Sequence, residues 1–108
     1  MVNSMIDPIE SRLLLSDPDC IDIVAKYVAF LPGRLKEIRN AIIKDDLIEL
    51  KRLVHDLKGV SGGMGYPQVT ELCDQLEREV QIGGVGSIKE SILKLDKLNE
   101  GIRLGFTG

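Results

Sequence analysis

Apolar residues recur at intervals of three and four along most of the chain, which is the periodicity of amphipathic helices. Four long stretches carry this pattern, at residues 17–43, 46–62, 67–82 and 87–102. Short segments rich in glycine, proline or aspartate separate them. Helices joined by such short connections pack antiparallel to their neighbours. The pattern therefore predicts an all-α fold, namely an antiparallel four-helix bundle with an additional N-terminal helical segment.

Three local signals mark where helices start or break. Asp17 and Pro18 are typical of a helix start, with aspartate as N-cap and proline in the first turn. The dipeptide Pro32–Gly33 interrupts the first stretch, which predicts either two consecutive helices or one helix kinked at the proline. Ser87 and Glu90 have the spacing of a capping box, so we expect the last helix to begin there.

Length and composition limit the classes of function. With 108 residues, the chain is predicted to form a single domain over residues 1–108, with its core at residues 17–104. A net charge of -3 does not supply the basic surface that nucleic-acid binding requires. Aromatic residues make up only 4% of the chain, too few for base-stacking platforms or aromatic-lined small-molecule pockets. We therefore expect no nucleic-acid partner and no cofactor bound by this chain.

The two cysteines, Cys20 and Cys73, fall in apolar helical stripes, which is typical of buried, reduced thiols. Together with a single histidine they do not provide a set of metal ligands, so no metal site is predicted. Residues Met1–Pro8 lack the basic and apolar run of a secretory leader, and no apolar segment reaches membrane-spanning length. We therefore expect a cytoplasmic protein without membrane contact.

The only histidine, His55, lies on the helix predicted over residues 46–62. On a helical wheel centred on Leu50, His55 lies about 140° from the middle of the apolar face, so we expect it to face solvent. The face predicted to be buried consists of Leu47, Leu50, Leu53, Val54, Leu57, Val60 and Ser61.

The residues one turn beyond His55 favour phosphoryl chemistry. A histidine ring is partly unprotonated near neutral pH and therefore offers a nucleophilic nitrogen. Lys58, three residues on, can bring its ammonium near the ring. Gly59, four residues on, costs about 1 kcal/mol relative to alanine in a helix interior, so we interpret it as steric clearance for a phosphoryl group and its carrier. We expect no acid, base or metal site beside His55 from this chain.

The outer side of the same helix is predicted to bind a partner protein. Ile48 is an exposed apolar anchor, Lys51 and Arg52 add positive charge, and Gly62 extends the cleared strip by another turn. This mixed apolar and basic face suits the weak, fast docking of signalling contacts.

The run from His55 to Gly65, with the sequence HDLKGVSGGMG, resembles the signature of histidine phosphotransfer domains. That family has His-x-Leu-Lys-Gly, a small residue two positions later, and glycine near the end of the helix. The resemblance covers residues 17–100. It implies a four-helix bundle with His55 as phosphoacceptor, Lys58 as charge partner and Gly59 as clearance residue.

The resemblance also implies the partners. His55 would accept a phosphoryl group from the aspartyl phosphate of one receiver domain and pass it to another, in response regulators or hybrid histidine kinases. The catalytic groups and the magnesium ion would belong to the receiver, so the chain would be a phosphocarrier and not an enzyme. Many such domains are part of a larger hybrid kinase, and others stand alone.

The residues alone leave three alternatives. The first is a docking module that is not phosphorylated, the second is an enzyme with His55 as general base, and the third is the docking bundle of a histidine kinase-like dimer. A general base needs a pocket and an orienting acid. The dimer needs apolar stripes left over for a second chain, and here the stripes are used within one chain, so we expect a monomer.

Overall fold

The computed structural model describes residues 6–106, so residues 1–5 and 107–108 of the predicted domain lie outside the described part. The helices are α1 (Arg12–Ser16), α2 (Ile21–Ile43), α3 (Leu47–Gly63), α4 (Pro67–Ile82) and α5 (Val85–Phe106), with a 3₁₀ turn at Pro18–Cys20. Residues 6–106 contain no strand. Helix α2 packs on α3, α3 on α4 and α4 on α5, and α2 also packs on α5. The loops between them have two or three residues, so the four helices run antiparallel. The predicted bundle and its N-terminal helical segment are confirmed.

Helix α2 is one continuous helix of 23 residues with Pro32 inside it, so of the two predicted alternatives the single helix is present and the two separate helices are not. Proline removes one backbone donor and crowds the preceding turn, which usually breaks a helix. Here Pro32 is exposed, whereas Leu31 and Leu35 on either side of it are buried. Both halves of the helix are thereby fixed to the same core, and this packing offsets the local cost.

The bundle core is formed by the apolar stripes of α2 to α5. On α4 the buried residues lie at helical spacing on one face, as the apolar pattern predicts, and are Val69, Leu72, Cys73, Leu76 and Val80. Tyr27 crosses the core to α3, where its hydroxyl lies 2.6 Å from the Ser61 hydroxyl oxygen, and its ring stacks on Tyr66. Two predictions for α3 are wrong, because Leu47 is 48% exposed and Val60 is 43% exposed. Both lie at the margins of the apolar face, and Leu47 is also the first residue of its helix.

The start signals are partly confirmed. The Asp17 side chain accepts a hydrogen bond from the Asp19 amide at the start of the 3₁₀ turn, as an N-cap does. The predicted capping box at Ser87 is wrong, because α5 begins two residues earlier, at Val85. Both cysteines are free and Cys73 is buried, but Cys20 is only partly buried, so the prediction of two buried thiols is half right.

Residues 7–16 form a segment that we call the N-terminal strap. The Ser11 hydroxyl donates to the Met64 carbonyl at 2.6 Å, and the Arg12 amide donates to the Gly65 carbonyl at 2.8 Å. Gly65 has a φ of 86°, and a Cβ placed on it would lie 2.3 Å from the Leu13 amide nitrogen. Only glycine meets both conditions. The strap thus fixes the loop that follows α3.

The other end of the strap lies along α5. The Ile9 amide donates to the Gly101 carbonyl at 2.9 Å. A Cβ at Gly101 would lie 2.6 Å from the Asp7 carbonyl oxygen, and one at Gly105 would lie 2.2 Å from the Ile9 carbonyl oxygen. The two glycines, one helical turn apart, therefore let the strap backbone lie directly against the helix.

Candidate functional site

His55 lies in the middle of α3, on the side that faces away from the core. Its side chain is 69% exposed, while Leu50 and Leu57 on the opposite side of the helix are buried. The helix begins with a firm cap, since the Asp46 side chain accepts a hydrogen bond from the Glu49 amide. The exposed position predicted from the helical wheel is confirmed.

Glu77 of α4 is the residue that sequence reasoning missed. Its Oε2 lies 3.0 Å from Nδ1 of His55, which contradicts the expectation that no acid lies beside the histidine. Because an ionised carboxylate only accepts, the Nδ1–H group donates to it. The remaining ring nitrogen, Nε2, has no hydrogen-bond partner within residues 6–106. In the neutral ring, Nε2 is then the nitrogen with the free lone pair.

Lys58 contacts the same carboxylate as His55. Its Nζ is 2.5 Å from Oε1 of Glu77 and 3.4 Å from Oδ1 of Asp74. Glu77 therefore bridges His55 and Lys58, with one oxygen for each. The Lys58 ammonium, and to a lesser extent the hydrogen bond from His55, holds the pKa of the Glu77 carboxyl below its usual value. The same contacts raise the pKa of Lys58, so this ammonium is charged at neutral pH.

The glycines near His55 have different surroundings. A Cβ at Gly59 would have no heavy atom within 4 Å, so nothing in the described part of the chain requires glycine there. A Cβ at Gly62 would lie 3.3 Å from the Thr70 hydroxyl oxygen, and that hydroxyl donates to the Lys58 carbonyl. Gly62 thus has a packing reason within the bundle, whereas Gly59 has none.

The surface predicted to be mixed apolar and basic is apolar but not basic. Ile48 is 86% exposed, as expected of an anchor. Lys51 is exposed and makes no ion pair with residues 6–106. Arg52, however, is paired with Glu49 and Asp56 on its own helix.

The cations around His55 are therefore matched by carboxylates. The cations are Lys51, Arg52, Lys58 and Arg78, and the carboxylates are Glu49, Asp56, Asp74 and Glu77. This charge balance was not predictable from the sequence, because two of the four carboxylates come from α4.

Comparison with protein families gives a match over most of the bundle. The family model described as Hpt domain matches residues 22–103, which include the whole of α3 and α4. The chain belongs to the Hpt domain family. Compared with curated proteins and with solved structures, the chain has no significant match.

As an Hpt domain, the chain has a phosphotransfer role in two-component signalling. Hpt domains are phosphocarrier modules rather than catalysts, and they interact with receiver domains. Among residues 6–106, no helix is long and apolar enough to cross a membrane. The same residues contain no cluster of three or more His, Cys, Asp or Glu side chains arranged for a metal ion.

Proposed function

We propose that His55 of this Hpt domain accepts a phosphoryl group from the aspartyl phosphate of a receiver domain and passes it to a second receiver. The observation that carries this proposal is the state of the imidazole ring. Nδ1 is held by Glu77 at 3.0 Å, and the exposed ring leaves Nε2 available to a partner. The hydrogen bond fixes both the tautomer and the orientation of the nucleophile.

The transfer step follows from this geometry. The Nε2 lone pair attacks phosphorus, an N–P bond forms, the P–O bond to the receiver aspartate breaks, and the aspartate leaves as a carboxylate. The ring then carries phosphorus on Nε2 and a proton on Nδ1, and it becomes positively charged. The carboxylate of Glu77 stabilises that charge through a charge-assisted hydrogen bond. Attack by the second receiver's aspartate reverses these steps.

Lys58, Gly59 and the receiver supply the remaining parts. Lys58 shares the Glu77 carboxylate with His55, and its ammonium would partly neutralise the phosphoryl group after leaving its carboxylates. The open space at Gly59 would admit the phosphoryl group and the receiver loop that carries it. Phosphoryl transfer depends mainly on positioning and charge stabilisation, so the magnesium ion and acidic groups are expected on the receiver.

The docking face would include Ile48, Lys51, Arg52 and, at its far end, Gly62. Because charges on this face balance, we expect the apolar Ile48 to contribute more to receiver affinity than any single charge. The chain is expected to act as a monomer, and sedimentation at micromolar concentration should show one chain per particle. A stable dimer would contradict that expectation.

The deciding experiment compares the native chain with His55→Gln, using a receiver that has been phosphorylated on its aspartate. The native chain should gain one phosphoryl group by mass, and His55→Gln should gain none. The substitution affects an exposed side chain, so circular dichroism should show an unchanged helical bundle. If His55→Gln takes up phosphate as well as the native chain, the proposal is wrong.

Two other functions remain distinguishable. Equal receiver affinity for His55→Ala and unchanged signalling in cells would favour a docking module without phosphorylation. The Glu77 contact also meets one requirement of a general base, an orienting acid. A ring that is 69% exposed does not exclude water from a reaction, which favours the phosphocarrier over an enzyme.

A further inference from the structure

Asp74 lies one turn before Glu77 on α4 and contacts the site only through Lys58. Its Oδ1 is 3.4 Å from Nζ of Lys58, while its Oδ2 is bound by Arg78. Asp74 makes no hydrogen bond or ion pair with His55. Asp74 is therefore a second carboxylate on the same ammonium, and Arg78 is a second cation on the same carboxylate.

The carboxylates of α4 and a phosphoryl group on His55 would compete for the Lys58 ammonium. A phosphoryl group on Nε2 of His55 needs a nearby cation, but the Lys58 ammonium is already paired with Glu77 and Asp74 of α4. Glu77 also holds the ring, so it is required both before and after transfer. Asp74 does not bind the His55 ring, and its side chain is 48% exposed. Its pull on Lys58 opposes the pull of the phosphoryl group.

We propose that Asp74 is a positioning residue, acting through Lys58, that sets how strongly His55 retains a phosphoryl group. This inference rests on the proposed function. Neutralising Asp74 leaves Lys58 with one carboxylate and frees it more readily for the phosphoryl group. Neutralising Arg78 should have the opposite effect. Asp74 would then pair with Lys58 alone and bind its ammonium more strongly, which leaves Lys58 less available to the phosphoryl group.

The test uses phosphoramidate as a small phosphoryl donor, so that no receiver is needed. Nε2 attacks its phosphorus, the N–P bond to the leaving ammonia breaks, and ammonia is released. The fraction of phosphorylated His55 at a fixed ratio of phosphoramidate to ammonia, read by ³¹P NMR, gives the equilibrium constant. Asp74→Asn should raise this constant two- to fivefold, about the range of an exposed ion pair. Arg78→Gln should lower it by a similar or smaller factor.

Two controls separate this role from a general effect of charge. Asp56→Asn removes the same unit charge next to His55 in sequence, but Asp56 pairs with Arg52 and not with Lys58, so the constant should change less. In a Lys58→Gln background, Asp74→Asn should have no effect, because the intermediary is gone. Equal shifts for Asp56→Asn and Asp74→Asn would overturn the proposal, as would an Asp74→Asn effect that persists without Lys58.

The outcomes also distinguish the two proposals. If the native chain is phosphorylated on His55 and the Asp74→Asn and Arg78→Gln variants give the same equilibrium constant, only the role of Asp74 is overturned. Native loading no greater than that of His55→Gln would overturn the proposed function, and the role of Asp74 with it.

Discussion

Glycine occurs both under the N-terminal strap and beside His55, and its surroundings differ between the two regions. At Gly101 and Gly105, an added Cβ would lie 2.6 Å and 2.2 Å from carbonyl oxygens of the strap. At Gly59, an added Cβ would meet nothing within 4 Å. The strap glycines are explained by the fold of the chain itself. Gly59 destabilises its helix relative to alanine, and no contact within the described part of the chain requires glycine there. This points to a requirement set by a partner of the chain.

The two regions are also held together by different forces. The strap is fixed by uncharged hydrogen bonds and backbone contact, such as the bond from the Ile9 amide to the Gly101 carbonyl. The His55 face is held by ion pairs among exposed or half-exposed side chains, centred on Glu77. The first region should therefore be sensitive to added volume, and the second to charge and pH.

The largest effect is expected for Gly105→Ala. Its Cβ would press on strap backbone, which cannot move as a flexible side chain would, so the strap must shift from α5. Overpacking of this kind should lower the free energy of unfolding by about 1–3 kcal/mol, despite the better helix propensity of alanine. Urea denaturation measures the loss, and faster hydrogen exchange at the Ile9 amide would locate it. Unchanged or higher stability would contradict the close approach of the strap.

A smaller effect of opposite sign is expected for Gly59→Ala. The site is open, so alanine should raise the free energy of unfolding by about 0.5–1 kcal/mol through helix propensity alone. The same substitution should slow phosphoryl transfer from a receiver, because the methyl group enters the cleared space.

Gly33→Ala provides the matched control, because Gly33 lies inside α2 with nothing within 4 Å of an added Cβ. It should stabilise the chain similarly and leave transfer unchanged. Equal transfer rates for the Gly59 and Gly33 variants would show that clearance is not the reason for Gly59.

The smallest effect is a pH dependence at Glu77. Lys58, and then His55, lower the pKa of the Glu77 carboxyl, so the folded chain favours its ionised form. This stabilisation is fully present above the ordinary glutamate pKa of about 4.3 and is lost as pH falls through the lower folded value. At pH 7, Glu77→Gln should reduce the free energy of unfolding by about 0.2–1 kcal/mol.

Urea denaturation of the native chain and of Glu77→Gln across pH tests this sign. The two stabilities should converge in the acid range, whereas the deficit of Gly105→Ala should persist there. A Glu77→Gln deficit that grows as pH falls would contradict the assignment.

Features that lie within one helix were predictable from the sequence. Helix geometry fixes residues three and four apart on one face, so the exposure of His55 and its nearness to Lys58 and Gly59 followed from spacing alone. The resemblance of the same run to histidine phosphotransfer domains identified the family, which the match over residues 22–103 confirms.

Features that join two segments were not predictable. Glu77 reaches His55 only because α3 and α4 pack in one particular register, and periodicity within each helix does not give that register. The strap was missed because residues 7–11 have no apolar period and bind largely through their backbone. The exposure of Leu47 and Val60 was missed because a wheel shows the angle of a residue, not whether a neighbouring helix covers it.

The central claim is that Nε2 of His55 is the phosphoacceptor, and the chain's single histidine allows a direct measurement. With ¹⁵N-labelled histidine, the ring contributes one pair of nitrogen resonances. After phosphorylation by a receiver, Nε2 should show coupling to ³¹P, and Nδ1 should keep its proton toward Glu77. Coupling of ³¹P to Nδ1, or phosphate uptake with no coupling to either ring nitrogen, would contradict the account.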